Sequence, residues 1–109
     1  MKNRVLILGN GIIGTQAKVA ATRLGYAVAT ADIKGATYTI DLRDEDQYNE
    51  VLYDWKPNII FNTAGKDQKL GEDAKPLHEM KKPEWDNLFG HNTDLLFNVA
   101  RTSLAYLMK

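Results

Sequence analysis

The rhythm of apolar and polar positions changes several times along the chain. Val5 to Leu8 is an unbroken aliphatic run, the pattern of a strand buried on both faces. Beyond a cluster of glycines, Ile13, Ala17, Ala20, Ala21 and Leu24 recur at helical spacing until Gly25 stops the helix. Residues 26–33 (YAVATADI) read as a second strand, KGA as a turn, and residues 37–42 (TYTIDL) as a short third strand. Asp44 can cap a helix that runs to about Trp55 and ends before Pro57. Residues 58–62 (NIIFN) form a fourth strand. A polar stretch follows from Gly65 to Lys82, and loops this long are usually functional or mobile. Pro83 suits a first helical turn, and the pattern is helical from there to the end. Trp85, Leu88, Asn92, Leu95, Leu96, Val99 and Leu107 fall near one stripe of that helix.

The order is therefore β-α-β-β-α-β-α. Strands joined through helices imply an α/β fold with a mostly parallel sheet and helices on both faces. One connection departs from strict alternation. Only about three residues separate the second and third strands, too few for a crossover helix. That pair is expected to run antiparallel, or the third strand to be only a short extended segment.

A length of 109 residues predicts one domain, 1–109, with residues 64–82 as a long polar loop. Fourteen basic residues balance fourteen acidic ones, so no global charge recruits nucleic acid or an anionic membrane. There is no cysteine, which excludes disulfides and thiolate metal sites. His78 and His91 stand far apart without ligand spacing, so no metal site is expected. The apolar run near the N-terminus is too short for a signal peptide or a membrane span, and a cytoplasmic protein is the expectation.

The chemistry concentrates after the first strand. Residues 6–14 read LILGNGIIG, with Gly9, Gly11 and Gly14 in a G-x-G-x-x-G spacing between a strand and an amphipathic helix. In a phosphate-binding turn Gly9 allows the sharp bend, Gly11 removes a Cβ that would block a pyrophosphate, and Gly14 lets the helix pack close to the strand. The amides of Asn10, Ile12 and Ile13 and the helix dipole then face the phosphates. A packing turn with no ligand would use the same glycines. Asp32, eighteen residues past Gly14 at the end of the second strand, can accept from the adenosine ribose hydroxyls. It would repel a 2′-phosphate and so favour NAD over NADP, a preference that nearby Lys34 could soften. A solvated turn aspartate is the plainer alternative. Asp41 is placed either as a turn or cap residue or as a ligand contact.

These segments together resemble the N-terminal half of a short-chain dehydrogenase/reductase. GNGIIG is similar to the glycine turn of the extended branch, the sugar-nucleotide epimerases and reductases, although Leu8 stands where that branch usually carries a further glycine. Asp41-Leu42 matches the pair that the family places beside the adenine, with Ile33 following Asp32 at the second strand. The run PNIIFNTAG resembles the fourth strand with its Asn-x-Ala-Gly ending, which implies that Asn62, Thr63, Ala64 and Gly65 support the sheet and line the cofactor ribose. The final helix resembles the family's long helix, with Asn92 on the catalytic tetrad position. The resemblance implies a Rossmann-like three-layer sandwich, a truncated sheet of about four strands in the order 3-2-1-4, and NAD as cofactor. Read without it, Asn92 is an amide on an apolar stripe that needs a partner.

The family's acid/base pair is a Tyr with a Lys four residues on. No Tyr-x-x-x-Lys occurs among Tyr26, Tyr38, Tyr48, Tyr53 and Tyr106. Three functions stay open. One is a dinucleotide-binding module without a complete catalytic site. Another is an oxidoreductase or sugar-nucleotide epimerase completed by a partner chain or by further C-terminal sequence, with Lys66, Asp67 and His78 as substrate-side candidates. The third is a ligand-free interaction domain on the same scaffold. The fourth strand would be an apolar edge and the last helix would keep an uncovered face, so a two-fold homodimer through one or both is expected.

Overall fold

A computed structural model describes residues 2–65 and 76–109. Lys66 and Asp67 lie outside that range. The elements are β1 (Arg4–Leu8), α1 (Ile12–Arg23), β2 (Ala27–Asp32), β3 (Tyr38–Thr39), α2 (Glu45–Trp55), β4 (Ile59–Asn62) and α3 (Lys82–Leu107). A single 3-10 turn at Leu77–Glu79 precedes α3, within the stretch read as loop. Among the described residues no helix is long and apolar enough to cross a membrane.

The four strands form one sheet in the order β3-β2-β1-β4, and every pairing is parallel. β1 lies inside the sheet, and Val5, Leu6, Ile7 and Leu8 are all buried. Its side chains alternate between faces. Val5 and Ile7 line a groove with Ala17, Ala20 and Ala21 of α1 and its C-cap residue Leu24. Leu6 and Leu8 join Leu42, Tyr48, Val51, Leu52, Leu95 and Val99 on the face covered by α2 and α3. The result is three layers, with the larger core on the α2/α3 side. Each fully buried aliphatic side chain of β1 contributes about 1.5–3 kcal/mol.

β3 corrects one expectation. It pairs with β2 in parallel, and it has two residues, in register Ala31↔Tyr38 and Asp32↔Thr39. A crossover is needed only to return a chain along a whole strand. Here the chain turns back by little more than one residue at the C-terminal end of β2, and Thr37 and Thr30 clamp the turn. The Thr37 N–H donates to Thr30 Oγ1 (3.0 Å) and the Thr30 N–H to Thr37 Oγ1 (3.1 Å).

α2 begins where the cap was expected. Asp44 accepts from the Gln47 N–H, and the helix ends at Lys56 in the left-handed region (φ 57°) before Pro57. α3 differs in its buried stripe. Leu95, Asn98, Val99, Thr102 and Ser103 face inward, whereas Trp85, Leu96 and Leu107 are exposed. The cause is a polar seam against α2 and the loop that precedes it. The Tyr48 hydroxyl bonds Ser103 Oγ (2.6 Å), Asn98 Nδ2 donates to the Leu42 carbonyl (2.7 Å), and Thr102 Oγ1 lies 3.3 Å from Asn98 Oδ1. Satisfied hydroxyls and amides bury at little cost, so the inward face is less apolar than its hydropathy implied.

Candidate functional site

The ends of all four strands open on the same edge of the sheet. β1 leads through α1 to β2 on one side, and α2 leads back to β4 on the other, so the direction of winding reverses beside β1. A crevice at such a reversal, beyond the carboxyl ends of the strands, is where open α/β sheets bind ligands.

The glycine turn fills that position. Gly9 has φ +100°, and a Cβ there would lie 2.6 Å from Thr63 Oγ1. A Cβ on Gly14 would lie 2.1 Å from the Gly9 carbonyl oxygen. Both glycines are therefore required by close backbone approach within the protein itself. Gly11 is different: nothing stands within 4 Å of a Cβ built on it. It is the N-cap residue of α1 in an extended conformation, no side chain caps that helix, and no acidic residue occupies its first turn. Ile12 and Ile13 are exposed beside it. The space left at Gly11, uncapped amides and a positive helix end suit an anionic group.

Neighbouring strands hold the turn. The Gly9 N–H donates to the Ala31 carbonyl (2.8 Å), and the Thr63 N–H and Oγ1 both donate to the Leu8 carbonyl (2.7 and 2.9 Å). Asp32 has a structural task. Its Oδ2 accepts from the Asn10 N–H and its Oδ1 from the Ile33 N–H, each at 2.6 Å. Each carboxylate oxygen keeps a second lone pair for a further donor. Asn62 Oδ1 accepts from the Ala64 N–H (3.0 Å).

Next to the turn is a cleft of about 300 Å³, lined by Asp32, Ile33, Ile40, Asp41, Leu42, Ala64, Gly65, His91 and Leu95. The residues expected at a cofactor thus fall into two adjoining groups. Gly9, Asn10, Gly11, Ile12, Ile13 and Gly14 form the turn; Asp32, Ile33, Asp41, Leu42, Ala64 and Gly65 form the cleft. Asn62 and Thr63 stand behind both. Asp41 also closes its own loop, binding Arg43 through the backbone N–H (2.9 Å), Nε (3.2 Å) and a second guanidinium nitrogen (3.1 Å). The Arg43 guanidinium holds the Asp41 carboxyl below the usual range, and the charge of His91 adds in the same direction.

His91 and Ile40 line the cleft without having been singled out as cofactor contacts. His91 lies one helical turn before Leu95, which was placed on the inward stripe, so the helical period alone could have found it. Asn92 is half-buried, and its Oδ1 would be 3.4 Å from a Cβ on Gly65. His78 is exposed on the 3-10 turn and does not line this cleft.

No protein-family profile matches the chain, and no curated protein matches it. Solved structures do match. A short-chain dehydrogenase from Leptospira borgpetersenii with bound NAD+ superposes at a TM-score of 0.77 and 17% identity, over 95% of this chain and 45% of that one. The L-threonine dehydrogenase of Clostridium difficile gives 0.71 and 17%, over 96% of this chain and 34% of that one. The UDP-glucose 4-epimerase of Thermus thermophilus, in complex with NAD, gives 0.62 and 20%, over 92% of this chain and 34% of that one. The chain therefore has the Rossmann-type fold of these dehydrogenase and epimerase structures, and it spans less than half the length of each.

Proposed function

We propose that the chain is a binding module for a nicotinamide adenine dinucleotide. The observation that carries this reading is the contrast within one turn: two glycines are demanded by the protein's own packing, and the third opens onto empty space at an uncapped helix end. In this arrangement the amides after β1 hold the diphosphate. Asp32 accepts from the adenosine ribose while still bracing Asn10, and its charge disfavours a 2′-phosphate. The aliphatic cleft between Ile33, Ile40, Leu42 and Leu95 takes the base. Asp41 stays with Arg43 and borders the base through its edge. A bound nicotinamide would supply hydride chemistry; this chain's own residues bind and orient. The test is calorimetric titration with NAD and NADP. Binding of NAD at micromolar concentration, tighter than NADP, supports the reading, and no heat with either dinucleotide refutes it.

A catalytic reading has one observation in its favour. In each of the three structures above, more than half of the chain lies outside the part matched here. An oxidoreductase or epimerase would then draw its proton-transfer groups from further sequence or from another chain, with Asn92 at the tetrad position. The chain by itself is expected to show no hydride transfer from NADH to carbonyl substrates.

A second copy is the proposed partner. Phe61 on β4, and Phe89 and Leu96 together on α3, are all about half or more exposed, and large apolar side chains left so open suit a protein partner.

A further inference from the structure

We propose that Asn10 is a positioning residue for cofactor choice: its side chain ties the β2–β3 turn to the glycine turn and so resists a phosphate on the 2′-oxygen of the adenosine ribose. This rests on the dinucleotide reading and deepens it. Asn10 joins the two turns by two bonds. Its backbone N–H donates to Asp32 Oδ2 (2.6 Å), and its side-chain Nδ2 donates to the Gly35 carbonyl (2.5 Å). A carbonyl only accepts, so this partner fixes which end of the Asn10 amide faces it. Gly35 stands in the left-handed region (φ +70°), and a Cβ built on it would lie 3.4 Å from Asn10 Nδ2. The connection from Ile33 to Thr37 is thus held at its base by the Thr30–Thr37 pair and in its middle by Asn10.

The tether acts through Asp32. In the dinucleotide reading the Asp32 carboxylate accepts from the ribose hydroxyls, so a phosphate on the 2′-oxygen must enter beside that carboxylate. To make room, Asp32 or the turn that follows it has to withdraw. The two oxygens of Asp32 hold the Asn10 and Ile33 amides, and the Gly35 carbonyl holds the Asn10 side chain. Withdrawal of either therefore breaks a bond to Asn10. The charge of Asp32 repels the phosphate, and Asn10 keeps that charge in place and the turn shut. The same turn carries the exposed Lys34, a cation that a loosened turn can bring to a 2′-phosphate.

The experiment is calorimetric titration of the whole chain with NAD and with NADP, on the native protein, Asn10→Leu and Asn10→Gln, together with hydrogen exchange of the amides of residues 33–37 in each. Leucine keeps the approximate volume of asparagine and removes the donor; glutamine keeps a donor. In Asn10→Leu the exchange should quicken about ten-fold and the ratio of NAD to NADP affinity should fall about ten-fold, the scale of one hydrogen bond. Asn10→Gln should keep both within about three-fold of the native values. A ratio unchanged in Asn10→Leu, whatever its exchange, overturns the role in cofactor choice while leaving NAD binding intact, and so do equal affinities in the native protein. A glutamine variant that behaves like leucine overturns the hydrogen-bonded tether. A native protein that binds neither compound overturns the dinucleotide reading and this inference with it.

Discussion

Within the glycine turn, neighbouring residues are under different constraints, and substitution separates them. Gly14→Ala forces a Cβ against the Gly9 carbonyl at 2.1 Å, a backbone contact that cannot relax cheaply. It should cost about 2–4 kcal/mol, read as a lowered urea midpoint. At Gly11, by contrast, a Cβ meets nothing within 4 Å, so Gly11→Val introduces no backbone clash of that kind. It should change stability by about 1 kcal/mol or less, since glycine gives way to a poorer N-cap, yet weaken dinucleotide binding at least ten-fold. Asp32→Asn keeps an acceptor for the Asn10 amide and removes the charge. NAD affinity should fall about ten-fold and the gap to NADP should narrow, measured by paired titrations. The glycines and Asp32 were legible in the sequence because their spacing encodes backbone geometry. The bracing of Asn10 by Asp32 was not, because a bond across twenty-two residues leaves no local mark.

Among the elements, caps and continuous apolar runs were readable and the α2–α3 contact was not. β1 and the Asp44 cap follow from local chemistry. Asp44→Ala should cost about 1 kcal/mol, seen as a lower melting temperature. The inward face of α3 depends on which hydroxyls and amides find partners on α2, in the loop before it and within α3 itself, and hydropathy cannot register that. Asn98, Thr102 and Ser103 were accordingly passed over, and Leu96 and Leu107 were placed inward. Of the two readings of β3 the short extended segment holds and the antiparallel one fails, for a related reason: its register depends on a clamp between Thr30 and Thr37. Tyr48 makes the seam testable by pH. Burial pushes its hydroxyl up to about 12, only partly opposed by the Ser103 bond. The unfolded tyrosine ionises near its usual value of about 10. The stabilisation is therefore complete below about pH 10 and is lost as pH rises through about 12, on the order of 2–3 kcal/mol in all. Tyr48→Phe should be slightly less stable at neutral pH and lose less stability across that alkaline window, followed by urea denaturation at each pH.

At the scale of the whole molecule, the order of strands was legible and the completeness of the layers was not. A parallel sheet is ordinarily covered on both faces. Here Ile59 and Phe61 line an apolar groove of about 320 Å³ beside α1, and Phe89 and Leu96 stand exposed on α3. Self-association would cover such surfaces, and sedimentation equilibrium at micromolar concentration should find a dimer that Leu96→Lys with Phe61→Lys dissociates. A monomer throughout would end that expectation. The same molecule carries the crevice at the sheet edge on which the functional account stands. Its most direct test is the melting temperature with and without excess NAD, on the native chain and on Gly11→Val. A ligand held only by the folded state at a hundred times its dissociation constant adds about 2.7 kcal/mol, a rise of several degrees. The account predicts that rise in the native chain and its disappearance in Gly11→Val; no rise in the native chain, or an equal rise in both, would contradict it.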